Sequence, residues 1–207
     1  MDRAGIGRRS VLTAAAGLWV ARPASAQPED AKPRVVMHTA YGAIVIELED
    51  KRAPITAANF LRYVDALKFD GGFIYRAARE PGSTDAGTIQ GEPNPKKILF
   101  SPIAHESTVK TGLTHTTGTI SIARDAPGTA TADFFICASP EPYLDAHPGA
   151  PGDNKGFAAF GGVVEGLDVV KTILALPTPG KTAIPEMKGQ ILVPPVPILS
   201  VRRVSLG

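Results

Sequence analysis

The sequence predicts a mainly β protein, built as an antiparallel barrel or sandwich with two separated helices. Short apolar segments follow one another along the chain, separated by turns rich in Gly, Pro, Asn and Asp, as in antiparallel sheets. Helical spacing of apolar residues occurs in only two stretches, which excludes the regular strand–helix alternation of parallel sheets. With 207 residues, of which 43% are hydrophobic, the chain can form one domain with a full core.

The first predicted element is a hairpin. A strand over residues 35–40 leads into a Tyr-Gly turn, and residues 43–49 then alternate between apolar and polar side chains. The first helix is predicted over residues 54–68. Pro54 suits the first turn of a helix, where its missing N–H has no partner to lose, and apolar residues then recur at helical spacing.

The rest of the chain predicts more strands and a second helix, joined by long connections. The second helix is amphipathic and covers residues 167–176. Residues 79–117 are predicted to form a long polar loop, and loops of this length in compact domains are often functional. Residues 139–156 form a Pro- and Gly-rich excursion, and a proline-rich connector precedes the last strand. The remaining strands are predicted over residues 73–78, 118–124, 133–138, 159–164 and 198–206.

The first 26 residues have the features of a cleaved export signal. Arg8-Arg9 precede an apolar stretch over residues 11–20, and Ala24-Ser25-Ala26 forms an A-x-A cleavage site. The twin arginine and the mildly apolar stretch favour the Tat over the Sec route. The stretch is too short for a membrane anchor, which needs ~20 apolar residues. We therefore expect a linker over residues 27–33, a mature domain over residues 34–207, and a location in the periplasm or outside the cell.

Composition excludes several classes of function. The net charge is +2, and the positive excess lies in the export signal, so the mature domain is close to neutral and nucleic acid is not an expected partner. The four histidines lack metal-ligand spacing, and no G-x-G-x-x-G or G-x-S-x-G motif is present. The single Cys137 lies in an apolar run typical of a small buried side chain. We expect no metal and no cofactor.

Two local features are candidates for a binding site. Arg76 follows an apolar strand segment, and it is either an exposed arginine at a strand edge or a functional group. Phe134 and Phe135 are adjacent in a predicted strand, so their side chains must point to opposite faces. They form either two hydrophobic layers or one core residue and one pocket residue.

Seven short motifs follow one another from residue 35 onward. They are Ala53-Pro54 with Asn59-Phe60, Tyr75-Arg76, Ile89-Gln90-Gly91, Gly118-Thr119-Ile120-Ser121-Ile122-Ala123-Arg124, Phe134-Phe135-Ile136, Leu144-Asp145, and Phe157-Ala158-Ala159-Phe160-Gly161 with Val163-Val164-Glu165-Gly166. Each motif alone is weak, but together and in this order they resemble the cyclophilin family of peptidyl-prolyl cis-trans isomerases.

The resemblance implies a closed eight-stranded antiparallel β-barrel capped by two α-helices. It implies an isomerase that accelerates rotation about Xaa-Pro bonds and, given the export signal, assists the folding of exported proteins. Its expected partners are proline-containing peptides and unfolded or folding proteins, and a monomer is expected. Arg76 corresponds to the catalytic arginine, and Gln90 to a glutamine that contacts the substrate backbone. The expected substrate-binding residues are Thr88, Ala123, Arg124, Phe135, Tyr143, Leu144 and Phe157.

The chain departs from the family pattern near the proline pocket. Gly87 and Thr88 replace a Phe and a Met, and Gly87 leaves one wall of the pocket without a side chain. Asp133 stands where the family has Gln, and Phe157 where many members have His. These departures keep open a second hypothesis, a weakly active or inactive proline-peptide-binding chaperone on the same fold. A third is a barrel of lipocalin type that binds a small apolar ligand in an open interior.

Overall fold

Eight antiparallel strands form one closed barrel, which confirms the predicted fold class. The computed structural model describes Met1 and residues 31–204, so the predicted export signal and most of the linker lie outside the described residues. The strands are β1 (Arg34–Thr39), β2 (Gly42–Leu48), β3 (Gly72–Arg79), β4 (Gly87–Glu92), β5 (Thr119–Ile122), β6 (Phe134–Cys137), β7 (Ala158–Glu165) and β8 (Ile191–Arg203). Around the barrel they follow the order β1-β2-β7-β5-β6-β4-β3-β8.

β1 and β2 form the predicted hairpin. The Thr39 hydroxyl closes the turn, because it accepts a hydrogen bond from the Tyr41 N–H at 3.1 Å and donates one to the Gly42 carbonyl at 2.9 Å. Gly42 has a φ of 135°, a backbone conformation that residues other than glycine rarely adopt. Ile44 and Ile46 are fully buried, so the alternation in the sequence corresponds to the inner face of the barrel.

The helices α1 (Pro54–Asp65) and α3 (Leu167–Leu174) are the two predicted ones, each ending a few residues early. The α1 start has no side-chain cap of its own. Instead, the Glu106 carboxylate accepts hydrogen bonds from the N–H groups of Ile55 and Thr56 at 3.2 and 2.7 Å. These are among the N–H groups that a helix start leaves unpaired. In the part of the chain that the structure describes, no helix is long and apolar enough to cross a bilayer.

The prediction of one continuous loop over residues 79–117 is wrong. It contains β4 and a short third helix, α2 (Thr108–Thr111). β4 has the sequence Gly-Thr-Ile-Gln-Gly-Glu, and a single large apolar residue gives no alternating pattern to detect. Close packing requires glycine at position 91 of this strand, because a Cβ there would lie 2.8 Å from the ring of Phe134. The strand forms because β3 and β6 pair with it on both sides.

β8 begins seven residues before the strand predicted over residues 198–206, inside the proline-rich connector. Its pairing with β3 is interrupted between Ile191 and Val196. The missing N–H groups of Pro194 and Pro195 fall in this interruption, where the ladder requires no donor. The prolines therefore mark an irregularity within the strand, and the strand continues on both sides of it.

Side chains fill the interior of the barrel. The Phe60 ring lies 5.0 Å from that of Phe69 and 5.3 Å from that of Phe160, between ring centroids. A filled interior contradicts the lipocalin-type hypothesis, which requires an open apolar cavity. The large side chains that are fully buried in the core include Met37, Ile44, Ile46, Leu48, Ile74, Ile89, Ile120, Phe134 and Phe160.

Candidate active site

A groove of about 500 Å³ runs along the outside of the barrel. It is lined by side chains of β3, β4 and β6, by the segment after β5, and by a short 3₁₀ helix over Pro142–Leu144. All nine residues that the sequence nominated lie along it. They are Arg76, Thr88, Gln90, Ala123, Arg124, Phe135, Tyr143, Leu144 and Phe157.

A bulge in β3 aims Arg76 at the groove. Ile74 pairs with Gly91, whereas Arg76 pairs with Gln90, so Tyr75 is an extra residue in the ladder. Strict alternation would place Ile74 and Arg76 on the same face. Because the bulge breaks the alternation, Ile74 is fully buried while Arg76 and Tyr75 both line the groove. Arg76 is therefore not a solvent-facing arginine at a strand edge.

Two glutamine side chains hold the Arg76 guanidinium. Its Nη1 donates to Gln90 Oε1 at 2.9 Å, and its Nε donates to Gln190 Oε1 at 2.7 Å. None of the ion pairs among residues 31–204 involves Arg76. Burial lowers the pKa of Arg76, but an arginine keeps its proton at neutral pH. The groove thus contains a fixed positive charge with neutral partners.

Phe135 forms the apolar floor next to Arg76. In the ladder, Arg76 pairs with Gln90 and Gln90 pairs with Phe135, so the three side chains form one row across β3, β4 and β6. Directly paired residues in antiparallel strands share a face. The Phe135 ring lies 5.3 Å from that of Phe157, nearly perpendicular to it. Phe134 points into the core instead, so the hypothesis of one core and one pocket phenylalanine is confirmed.

A buried histidine supports Phe135 from behind, and the sequence did not reveal this contact. The ring of His115 stacks on that of Phe135 at 5.7 Å. His115 Nδ1 lies 2.6 Å from Asp145 Oδ1, and its Nε2 lies 3.0 Å from Ser121 Oγ. Burial lowers the pKa of His115, and Asp145 partly opposes that effect. Ser121 is fully buried, so its hydroxyl cannot reach a substrate and the three residues act as a support.

Arg124 lines the groove, but its guanidinium serves a neighbouring loop. Its Nε donates to the Gly156 carbonyl at 3.0 Å, and it pairs with Asp153. It also lies 5.1 Å from the centroid of the Phe157 ring. These contacts attach the loop before β7 to the segment that follows β5.

Asp133 places a carboxyl group in the groove close to Tyr75. The Tyr75 hydroxyl donates to Asp133 Oδ2 at 3.4 Å. Burial raises the pKa of Asp133 to about 6, and the nearby Glu92 adds to the effect. Burial also raises the pKa of Glu92 and of Tyr75. In the groove, the Asp133 carboxyl group therefore keeps its proton to a higher pH than an ordinary aspartate does.

Part of the groove lining comes from a segment that the sequence analysis did not identify. Gly87 has no room for a side chain, because a Cβ there would lie 2.1 Å from the Ala78 carbonyl oxygen. Ile184 and Met187, from the segment before β8, line the groove instead. They lie about a hundred residues further along the chain, and no motif connects them with the site.

Comparisons with known protein sequences agree with this geometry. Residues 34–202 match the family described as cyclophilin type peptidyl-prolyl cis-trans isomerase/CLD. A peptidyl-prolyl cis-trans isomerase of Acinetobacter baylyi is 35% identical over 86% of this chain and 88% of its own length. Peptidyl-prolyl cis-trans isomerase B of Escherichia coli K12 is 36% identical over 70% of this chain and 85% of its own length.

Solved structures share the fold. A crystal structure of a cyclophilin type peptidyl-prolyl cis-trans isomerase from Cryptosporidium parvum has a TM-score of 0.67 at 19% identity and covers 85% of this chain and 99% of its own. A second structure of that protein was determined in the presence of the dipeptide Ala-Pro. On the sequence matches, the chain belongs to the family of cyclophilin-type peptidyl-prolyl cis-trans isomerases and is an enzyme of that family.

Proposed function

We propose that the groove binds Xaa-Pro segments of peptides and of folding proteins, and that Arg76 accelerates rotation about the Xaa-Pro bond. The observation that carries the proposal is the row of Arg76, Gln90 and Phe135 on neighbouring strands. A proline ring on Phe135 would bring its imide nitrogen towards the guanidinium. Gln90 lies between them, where its amide can also meet the substrate backbone.

The chemistry follows from the electronic structure of the peptide bond. Resonance gives rotation a barrier of ~18–20 kcal/mol, and before proline it takes roughly tens to hundreds of seconds without a catalyst. In the planar state the nitrogen lone pair is delocalised into the carbonyl. In the twisted transition state the lone pair is localised, so the nitrogen becomes a hydrogen-bond acceptor. A fixed N–H donor therefore binds the transition state better than either planar isomer, which is what catalysis requires.

Arg76 suits this role because its environment preserves its charge. Neutral amide oxygens hold it, whereas a carboxylate would offset its charge. It is partly buried in the groove that Phe135 also lines, and a hydrogen bond made there is stronger than one in water. Each ~1.4 kcal/mol of preference for the twisted form accelerates rotation tenfold. No covalent intermediate is needed. These contacts favour the enzyme over the inactive peptide-binding chaperone.

The test is an isomerisation assay with a chromogenic Xaa-Pro peptide, using the full chain and its Arg76→Ala variant. We expect kcat/KM to fall about 100-fold or more in the variant, since one preorganised donor contributes about that much. The circular dichroism spectrum should stay the same, because Arg76 is not one of the core residues. The melting temperature should fall by no more than roughly 5–10 °C, because two side-chain hydrogen bonds are lost. Equal activity of the two proteins would refute the role of Arg76.

We also propose that the protein is exported, by the Tat route, and acts on exported proteins in the periplasm or outside the cell. The support is the order of Arg8-Arg9, the apolar stretch and Ala24-Ser25-Ala26. Fractionation of expressing cells tests this, with Arg8→Lys and Arg9→Lys combined as the Tat variant. Export of the native chain and retention of the variant are expected. Retention of both would refute export, and export of both would refute the Tat route.

A further inference from the structure

Gln190 contacts the Arg76 guanidinium as closely as Gln90 does, although no motif marks it. Its Oε1 accepts from Nε at 2.7 Å, and Gln90 accepts from Nη1 at 2.9 Å. A contact at one nitrogen leaves a guanidinium free to rotate about that contact. Contacts at two nitrogens fix its plane, because the group is rigid. Among residues 31–204 the hydrogen bonds of the guanidinium are made by Nε and Nη1, and none is made by Nη2, so the N–H groups of Nη2 can donate to a ligand.

We propose that Gln190 is the positioning residue that sets the plane of the Arg76 guanidinium in the groove. The inference rests on the proposed function, because it assigns how the catalytic donor is aimed. Gln190 acts through Arg76 and does not itself line the groove. It is brought to Arg76 by the start of β8, 114 residues further along the chain.

The backbone around Gln190 is held firmly enough for this role. The Ala77 N–H of β3 donates to the Gln190 carbonyl at 2.8 Å, and the Gln190 N–H donates to the Met187 carbonyl at 3.1 Å. One residue earlier, the Gly189 carbonyl accepts from the Thr178 hydroxyl at 2.7 Å. The Gln190 backbone is thus hydrogen-bonded to the same strand that carries Arg76. The position from which the Gln190 side chain extends is therefore fixed relative to Arg76.

An amide is also the acceptor that suits the proposed chemistry. A glutamine oxygen accepts from Nε without adding charge, whereas a glutamate would form an ion pair with the guanidinium. The positive charge of Arg76 would then be partly offset before a substrate arrives. Gln190 should therefore fix the orientation of the group and leave its charge available.

The test compares two variants of Gln190 in the full chain with a matched control. Gln190→Leu keeps the volume and removes the acceptor, and Gln190→Glu keeps the acceptor and adds a negative charge. Lys188→Gln changes the charge of the same segment by the same amount at an exposed residue. We expect kcat to fall about tenfold in both Gln190 variants, with KM within about twofold, as for an interaction made only in the transition state. The Lys188→Gln variant should match the native chain.

A spectroscopic readout separates positioning from folding. The Nε–H proton of Arg76 should give a sharp NMR signal in the native chain and in Gln190→Glu, where an acceptor is present. In Gln190→Leu this signal should broaden or disappear. In an Arg76→Ala background, Gln190→Leu should cause no further loss of activity. A Gln190→Leu variant with native kcat, or with an unchanged Nε–H signal, would overturn the inference. A Gln190→Glu variant with native kcat would overturn the requirement for a neutral acceptor. An active Arg76→Ala variant would instead refute the proposed function.

Discussion

Arg76 and Arg79 lie three residues apart on β3, and the two guanidinium groups have different kinds of partner. Arg79 Nη1 donates to the carbonyls of Leu174 and Leu176 at 2.7 and 2.9 Å, and its Nη2 donates to the Thr178 hydroxyl at 2.9 Å. Leu174 is the last residue of α3, where carbonyl groups lack helical partners and a cation is favourable. Within the described residues 31–204, the hydrogen-bond partners of the Arg76 guanidinium are two glutamine side chains.

The difference shows that acceptors decide what an arginine does. Residues an odd number of positions apart on a strand point to opposite faces, so Arg79 faces the end of α3 while Arg76 faces the groove. Arg79 donates to two backbone carbonyls and one hydroxyl of the protein itself, and it attaches the end of α3 to the barrel. Arg76 retains free donors on the surface where a peptide would lie.

The sharpest way to break this comparison is the same conservative substitution at both positions. Arg76→Lys should lower kcat/KM about 100-fold, because an ammonium group lacks the planar fork that contacts two amides and a substrate. Arg79→Lys should keep activity within about threefold, because an ammonium can still donate to the carbonyls at the helix end. It should lower the free energy of unfolding by about 1 kcal/mol. Isomerase assays and urea unfolding of both variants measure the contrast, and the opposite pattern would exchange the two roles.

Asp133 lies in the groove, where burial disfavours its ionised form and so lowers the stability of the fold. The contacts of Arg79 with the end of α3, in contrast, stabilise the fold. The pKa of Asp133 is raised to about 6 in the folded protein, so the ionised form is disfavoured there. The native state therefore binds a proton more readily than the unfolded chain, and the cost of this carboxylate is present above pH 6. It disappears as the pH falls below the ordinary pKa of about 4.

We expect Asp133→Asn to raise the free energy of unfolding by about 1–3 kcal/mol at pH 8, because a shift of two pKa units corresponds to about that energy. The gain should vanish at about pH 3, below the ordinary pKa of the carboxyl, where it is protonated in the unfolded chain as well as in the native state. Urea unfolding at both pH values provides the measurement. A variant that is less stable at pH 8 would show that the Tyr75–Asp133 hydrogen bond outweighs the burial of the charge.

Thr178 connects the two arginines, and its removal should have the smallest effect. Its hydroxyl accepts from Arg79 and donates to the Gly189 carbonyl, next to Gln190. Thr178→Val should lower the free energy of unfolding by about 1 kcal/mol, because it removes two hydrogen bonds that are partly exposed to solvent. It should lower kcat by about twofold, because the segment before Gln190 loses one of its contacts. Unfolding and kcat are measured together. No change in kcat would mean that the Arg79 contact and the groove are independent.

Local sequence patterns predicted the features of the fold that are determined by residues adjacent in the chain. The hairpin follows from alternation and a turn, and the opposite directions of Phe134 and Phe135 follow from the period of a strand. The positions of Arg76 and Gln90 came from the motifs that resemble a known family. Alternation alone would have placed Arg76 on the face of Ile74, because a bulge of one residue leaves no mark in the sequence.

Contacts between distant residues could not be predicted. Gln190 meets Arg76 only because β8 pairs with β3, and the start of β8 is hidden among prolines. His115 and Asp145 lie thirty residues apart, and no spacing rule connects them. β4 gave no strand pattern because its neighbours leave space for glycine and not for a large side chain.

The closure of the barrel has a consequence for aggregation. Among the described residues, each of the eight strands pairs with a neighbour on both sides, so this sheet has no edge strand to which a strand of another molecule could add. A protein that acts on incompletely folded chains, as proposed, can therefore meet their exposed strands without its own sheet being extended.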